Sequence, residues 1–283
     1  YLINPKINWV GYYVDHAWEK VTHYFAADER VGLPPVRLYI PRRSQEALVE
    51  NLPDSAKKWQ LGYLLYPDDK IGEVKVHHRG DNPYNWMFEK KSWRVKVKKK
   101  ALIGGTRVFN YVAPQVGQAS EHIGLSIARR AGILAPNSRL VELFVNDNSM
   151  GIYFESEHLN EEFLRNNRLM PVNLYKGEQY YQERAFRVDH DMFNNPSLWR
   201  KTSINNKFSS GDTRDLASVF ELLRTAETSA DDMVKLKRLA PYTEWARYAA
   251  LQTLIQSPHN DAVHNMRAVF DSWRGQFIPI AYD

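Results

Sequence analysis

No cysteine occurs among the 283 residues, which excludes disulfides, thiolate metal sites and a cysteine nucleophile. No apolar run approaches the roughly 18 residues needed to cross a bilayer, and no signal-peptide pattern stands at the front. The piece is therefore expected to be soluble, with any anchor elsewhere. An initiator methionine is also missing: the sequence begins at Tyr1 and stops at Asp283, directly after a strand-like run, and so reads as part of a longer protein. Internal repeats and low-complexity tracts are absent. With 43% hydrophobic and 25% charged residues, disorder is not expected and one large core or two smaller ones can be buried. Lys and Arg outnumber Asp and Glu 38 to 33, a net charge of +5 that favours an anionic ligand such as a nucleotide, an acidic protein or a polysaccharide.

Residues 1–32 are rich in aromatics and end at the breaker Gly32 to Pro35, and they read as a lead-in segment. From Val36 the pattern becomes short alternating runs. Val36, Leu38 and Ile40, then Leu61, Tyr63 and Leu65, then Val74 and Val76 are spaced as half-buried strands require. In 92–98, Trp93, Val95 and Val97 fall on one face and Arg94, Lys96 and Lys98 on the other, predicting one core face and one basic face. After the Gly104-Gly105 turn, residues 120–131 read as a helix with Ile123, Ile127 and Ala131 at helical spacing and Gly132 as its stop. Two strands, 139–146 and 151–155, read as a hairpin around Asp147-Asn148. Beyond Lys176 helices are predicted over 215–225, 231–239 and 243–255. A strand pair, 266–270 and 276–281, closes the chain. The expected class is α+β, a small sheet-rich lobe followed by a mainly helical one with a cleft between them.

The strongest local signal is His259-Asn260-Asp261-Ala262-Val263-His264-Asn265, between a helix and a strand. An acid followed four residues later by Asn, at a cleft, suits orienting a hydroxyl and ligating a hard metal ion through the amide oxygen. The plainer alternative is a helix-stop loop in which both side chains bond their own backbone. Asp283, at the end of the last strand, would with Asn265 suffice for Mg²⁺, or it is simply a solvated charge. Spacings among His77, His78, His259 and His264 match no standard zinc pattern. The turn from Arg79-Gly80-Asp81 to Trp86 suits closing over phosphates. The basic residues from Lys90 to Lys100 suit nucleic acid or acidic glycans, or form a solvated strand face.

The ordered set of motifs resembles the CotH kinase family over about Leu33 to Asp283. The pieces are Val76-His77-His78-Arg79-Gly80-Asp81, the strand Phe88-Glu89-Lys90-Lys91-Ser92-Trp93-Arg94-Val95-Lys96, and Val141-Glu142-Leu143-Phe144-Val145-Asn146 with Gly151-Ile152-Tyr153 and Glu157. Asn173-Leu174-Tyr175-Lys176, the 259–265 loop and Phe277-Ile278-Pro279 with Asp283 follow in the same order. The resemblance implies a divergent protein-kinase-like bilobal fold, with one lobe over about 33–160 and the other over about 161–283, incomplete at its C-terminus. It also implies transfer of the γ-phosphoryl group of ATP, with Mg²⁺ or Mn²⁺, to hydroxyls of a secreted or envelope protein outside the cytoplasm. Nucleic acid is not an expected partner.

Carried over by resemblance, Asp261 is the catalytic acid, and Asn265 and Asp283 are the metal ligands. Lys90, with Lys96 as the second choice, meets phosphates, Arg79 sits in the phosphate-covering turn, and Glu121 is the candidate ion-pair partner of that lysine. Glu157 and Lys176 match frequent family positions without an assigned role. The family's last motif commonly reads Pro-Trp-Asp-x-Asp, whereas here Pro279-Ile280-Ala281-Tyr282-Asp283 places Ala281 at one acid. Asp81 and Asn82 likewise replace a serine-rich turn. Three readings follow: an active kinase, a catalytically silent scaffold that binds an envelope component or glycan, and an ATP-using transferase that modifies something other than a protein hydroxyl.

Overall fold

The computed structural model describes residues 32–66, 70–80, 85–114, 119–178, 191–202, 213–256 and 265–282. The lead-in segment, the 259–264 loop and Asp283 thus lie outside the described residues.

Seven strands close into a barrel: β1 (Pro35–Tyr39), β2 (Gln60–Leu65), β3 (Ile71–His78), β4 (Trp93–Lys96), β5 (Val108–Val112), β6 (Ser138–Val145) and β7 (Asn148–Glu157). Their order is β1-β2-β3-β4-β5-β7-β6, and the ring closes where β1 runs parallel to β6, Val36 opposite Leu143. Side chains alternate across each strand, so Leu38, Val74, Val76, Val95, Leu143 and Tyr153 fill the interior. The β6–β7 hairpin turns at Asn146 and Asp147, both with positive φ, as a tight two-residue turn requires. α1 (Arg42–Val49) and a 3-10 turn (Asp54–Lys57) connect β1 to β2.

Outside the barrel lies a second sheet of four antiparallel strands, β8 (Asn173–Gly177), β9 (Trp199–Lys201), β10 (Met266–Asp271) and β11 (Gln276–Ile280), in the order β11-β10-β8-β9. Five further helices flank it: α2 (Ala119–Arg130), α3 (Glu161–Asn166), α4 (Arg214–Thr225), α5 (Ala230–Leu239) and α6 (Tyr242–Ile255). α3 starts where the Asn160 side chain accepts from the Phe163 N–H, and α5 where Ser229 accepts from Asp232. A core distinct from the barrel interior joins the two sheets: Val112 and Phe154 on the outer face of the barrel pack with Leu125 and Ala128 of α2, Trp199, Phe220 and Tyr248, and with Ala268 and Phe277 of the second sheet. Trp199 is 1% exposed and donates Nε1–H to the Met192 carbonyl, so truncating it would cost about 3–5 kcal/mol.

These findings correct the expected divergent protein-kinase-like bilobal fold with a mainly helical second half. The first half is a closed barrel, and the second half is built on a sheet of its own. Alternation reports which residues share a face of a strand, but not which strand is its neighbour, and closure here depends on a pairing between Pro35 and Glu142. β9 has only three residues, too few to show a period.

Two smaller expectations also change. In β2 the barrel takes Gly62 and Leu64, while Leu61 is 41% exposed and Tyr63 points out with it. In α2 Leu125 and Ala128 are buried, whereas Ile123 is 56% exposed.

Candidate functional site

Because Val74, Val76, Trp93 and Val95 point into the barrel, their neighbours Lys75, His77, Arg94 and Lys96 point out. Register places Lys75 beside Lys96 and His77 beside Arg94, and continues the second row through Asn110 on β5 and Ser156 on β7. Arg94 donates its Nε–H to Asn110 Oδ1 at 2.7 Å, and the Asn110 amide reaches Ser156 Oγ at 3.5 Å. Lys96 Nζ stands 4.2 Å above the Trp59 ring, whose edge or face also meets His77 at a centroid distance of 4.2 Å. Arg79 continues the line past the end of β3, its N–H bonded to the Ser92 carbonyl. This outer face is therefore strongly cationic. Burial, then Arg107 and Lys75, lower the Lys96 ammonium from its usual range. His77 falls to about 4 mainly through burial, with Arg94, Lys96 and Lys57 adding.

The second sheet presents its own cations. Arg267 on β10 lies opposite Lys176 on β8, and Lys176 lies opposite Arg200 on β9. Met266 and Ala268, on either side of Arg267, are buried in the core, so alternation turns Arg267 to the other face. Its guanidinium lies 4.6 Å from the Tyr282 ring centroid, and Nη1–H donates to the Met266 carbonyl at 3.0 Å. Lys176 is paired with Glu178 at 3.0 Å. Asn265, just before β10, has a φ of 51°, in the left-handed region that Asn tolerates better than most residues.

Barrel and second sheet meet at His158, which follows β7 and bonds its N–H to the Val108 carbonyl. Burial pushes its imidazole well below the usual histidine range, and the charges of Arg94, Arg79 and His77 from the barrel and Arg267 from the second sheet push the same way. Cations from two separate sheets thus act on one neutral ring. Such a junction favours a compact polyanion, whose charge every one of these groups would share.

Of the residues singled out from the sequence, Arg79 and Lys96 lie on the cationic outer face, Lys176 lies beside Arg267, and Asn265 opens the strand that carries Arg267. Lys90 is placed elsewhere, with Nζ 5.4 Å from the ring of the inward-facing Tyr153 and close to Gly151. Glu121 stands in the first turn of α2, a helix that packs on β6 and α6. Glu157 faces the opposite side of β7 from Ser156 and is buried. It accepts from Thr106 Oγ1, from the backbone N–H and amide of Asn137 and from the Asn166 amide, tying the barrel to α3. Asp261 and Asp283 lie outside the described residues. Ala281 is buried in the main core and bonds its N–H to the Leu134 carbonyl.

Arg267 and His158 escape the sequence reading. Arg267 does leave a signal, as a single cation inside the apolar run Met266 to Phe270. His158 leaves none, since nothing local shows that the charge of Arg267 acts on it. Among the described residues no group of three or more His, Asp or Glu is placed to hold a metal ion, and no helix is long and apolar enough to cross a membrane.

A sequence model of the family described as CotH kinase protein matches residues 76–283. No curated protein matches the chain.

Proposed function

The chain belongs to the CotH kinase protein family, and from that premise we propose that it binds ATP where the barrel meets the second sheet and transfers the γ-phosphoryl group to a hydroxyl of an extracytoplasmic protein. Membership itself carries a kinase-like function, with use of a nucleotide and a divalent metal in general terms. ATP with Mg²⁺ or Mn²⁺, and a secreted or envelope protein as acceptor, form the finer reading. The observation that supports it is the cationic outer face of the barrel, where register sets Lys75 beside Lys96 and Arg94 in the adjoining row, together with Arg267 opposite Lys176 on the second sheet.

In this reading Arg79, Arg94 and Lys96 neutralise the phosphate chain from the barrel, and Lys176 and Arg267 do so from the second sheet. Asp261 orients the acceptor hydroxyl and takes its proton as the oxygen bonds to phosphorus. The bond from that phosphorus to the β,γ-bridging oxygen breaks, and its electron pair leaves with ADP. Asn265 and Asp283 offer only oxygen ligands, which suits a hard divalent cation. A cation held there would supply charge neutralisation to the phosphate chain. Positioning and charge neutralisation supply most of the rate in such transfers.

Ala281 bears on the silent-scaffold alternative. Its side chain is buried in the core, on the other face of the sheet from Arg267, so the missing acid takes no charge from the cationic junction. A thermal-shift titration with ATP, with and without Mg²⁺ or Mn²⁺, tests the proposal. Ligand at about 100 times Kd adds about 2.7 kcal/mol of apparent stability, a readily measured rise in Tm. A metal-dependent rise is expected. No rise with any metal would favour a scaffold that binds an envelope component or glycan.

A further inference from the structure

β10 carries one charged side chain in an apolar stretch, and the way it is held restricts what it can do. The Arg267 guanidinium lies against the Tyr282 ring at 4.6 Å and gives one N–H to the carbonyl of Met266. A guanidinium carries further N–H groups in the fork geometry that matches two oxygens of one phosphate. Neighbouring Lys176 is already paired with Glu178, whereas no carboxylate among the described residues pairs with Arg267. Arg267 also stands two residues beyond Asn265, and the ring it lies on belongs to Tyr282, the residue before Asp283. From the barrel side, Arg79 and Arg94 act on the same imidazole, His158, as Arg267 does.

We propose that Arg267 is the second sheet's contact for the terminal phosphate of a bound nucleoside triphosphate, opposite Arg79 and Arg94, and that it sets the preference for a triphosphate over a diphosphate. This rests on the nucleotide reading above. The α- and β-phosphates are left to the barrel cations, so Arg267 is a specificity-determining residue and not a general anchor for the nucleotide. An arginine is suited to this role where a lysine is not, because two parallel N–H bonds recognise the geometry of a terminal phosphate as well as its charge.

The test is direct titration of the full chain with ATP, ADP and AMP at fixed Mg²⁺, for the wild type and for Arg267→Met and Arg267→Lys. Both substitutions are long and unbranched and fill the space over Tyr282. Unfolding curves establish that each variant is folded. The wild type is expected to prefer ATP to ADP. In Arg267→Met the affinity for ATP falls by about tenfold to a hundredfold, the worth of a charged hydrogen-bond pair, while ADP and AMP affinities stay near wild type. Arg267→Lys retains part of the preference. Equal weakening of all three nucleotides would overturn the proposal, since Arg267 would then contribute only a general field, and so would an unchanged preference for ATP. If the wild type bound none of the three, the nucleotide reading itself would fall and the role of Arg267 with it.

Discussion

Arg94 and Asn110 face each other across β4 and β5, joined by a 2.7 Å hydrogen bond from the guanidinium Nε to the amide oxygen. The bond uses the inner edge of the guanidinium and passes on to Ser156. Arg94 is thereby held in one orientation on the outer face of the barrel, where His77 is its register partner and His158 feels its charge.

If that orientation matters for binding, charge and aim can be separated. Arg94→Met removes both and is expected to weaken ATP binding about tenfold or more. Asn110→Ala leaves the charge and loosens the aim, so it is expected to weaken binding by less. Titration of both variants gives the order. Equal effects would mean that the hydrogen bond, and not the charge, is what the ligand requires.

Acid should destabilise the fold through its histidines. His77 and His78 each drop from 6.5 to about 4, chiefly through burial, and burial also pushes His158 well below the usual histidine range. In the unfolded chain all three take up protons near pH 6.5, while in the native state they stay neutral until much lower pH. The unfolded state therefore binds more protons across that interval. The stability conferred by neutral His77 and His78 is complete above pH 6.5, declines as pH falls, and is lost by about pH 4. Tm measured from pH 8 to pH 4 should show this decline, and His77→Gln should make it shallower.

Glu157 is a buried carboxylate whose described partners are the neutral donors Thr106, Asn137 and Asn166. Replacing it with Ala strands several of those donors together. A loss of about 3 kcal/mol is expected, read as a lower midpoint in urea. Glu157→Gln keeps the shape and an acceptor oxygen and should lose less. If nucleotide binding survives in the folded Gln variant, the role of Glu157 is to brace the barrel against α3, with no direct part in holding the ligand.

How much of this is legible in the sequence varies from strand to strand. β4 shows both its faces, because the buried, apolar Trp93 and Val95 alternate with the outward-facing Arg94 and Lys96. β2 misleads: its larger apolar residues Leu61 and Tyr63 stand every second position, yet the wall turns Gly62 inward. A Cβ at Gly62 would come within 3.1 Å of Val76 and 3.3 Å of the Tyr39 carbonyl, so a larger side chain is not accommodated without movement. In α2, both Ile123 and Leu125 fit a helical period, and only the position of the second sheet and α6 decides which is buried. The site divides in the same way. The basic face of β4 is local and readable, but its conjunction with Arg267 joins residues more than 170 positions apart, and no local pattern encodes that approach.

The resemblance puts Lys90 first and Lys96 second as the lysine that meets phosphates, and the two side chains stand in different surroundings. Lys96 projects from the outer face, over Trp59 and next to Lys75, with its ammonium partly desolvated. An arriving anion would relieve the repulsion among these cations as well as bind Lys96 directly, so the gain on binding is larger there than at an isolated surface lysine. Lys90 lies over Tyr153, whose side chain faces the barrel interior and whose hydroxyl donates to the Lys91 carbonyl. An aromatic face holds a cation by about 0.5–1 kcal/mol at an exposed site, enough to keep Lys90 near the barrel end. Lys96→Met is therefore expected to weaken ATP binding several-fold more than Lys90→Met. Salt should separate them too: the affinity lost on raising ionic strength should shrink in the Lys96 variant, because one of the charges that the polyanion meets has been removed. Should the Lys90 variant prove the weaker binder, the nucleotide would lie toward the Gly151 end of β7, and the cationic row through Arg94 would be a solvated face.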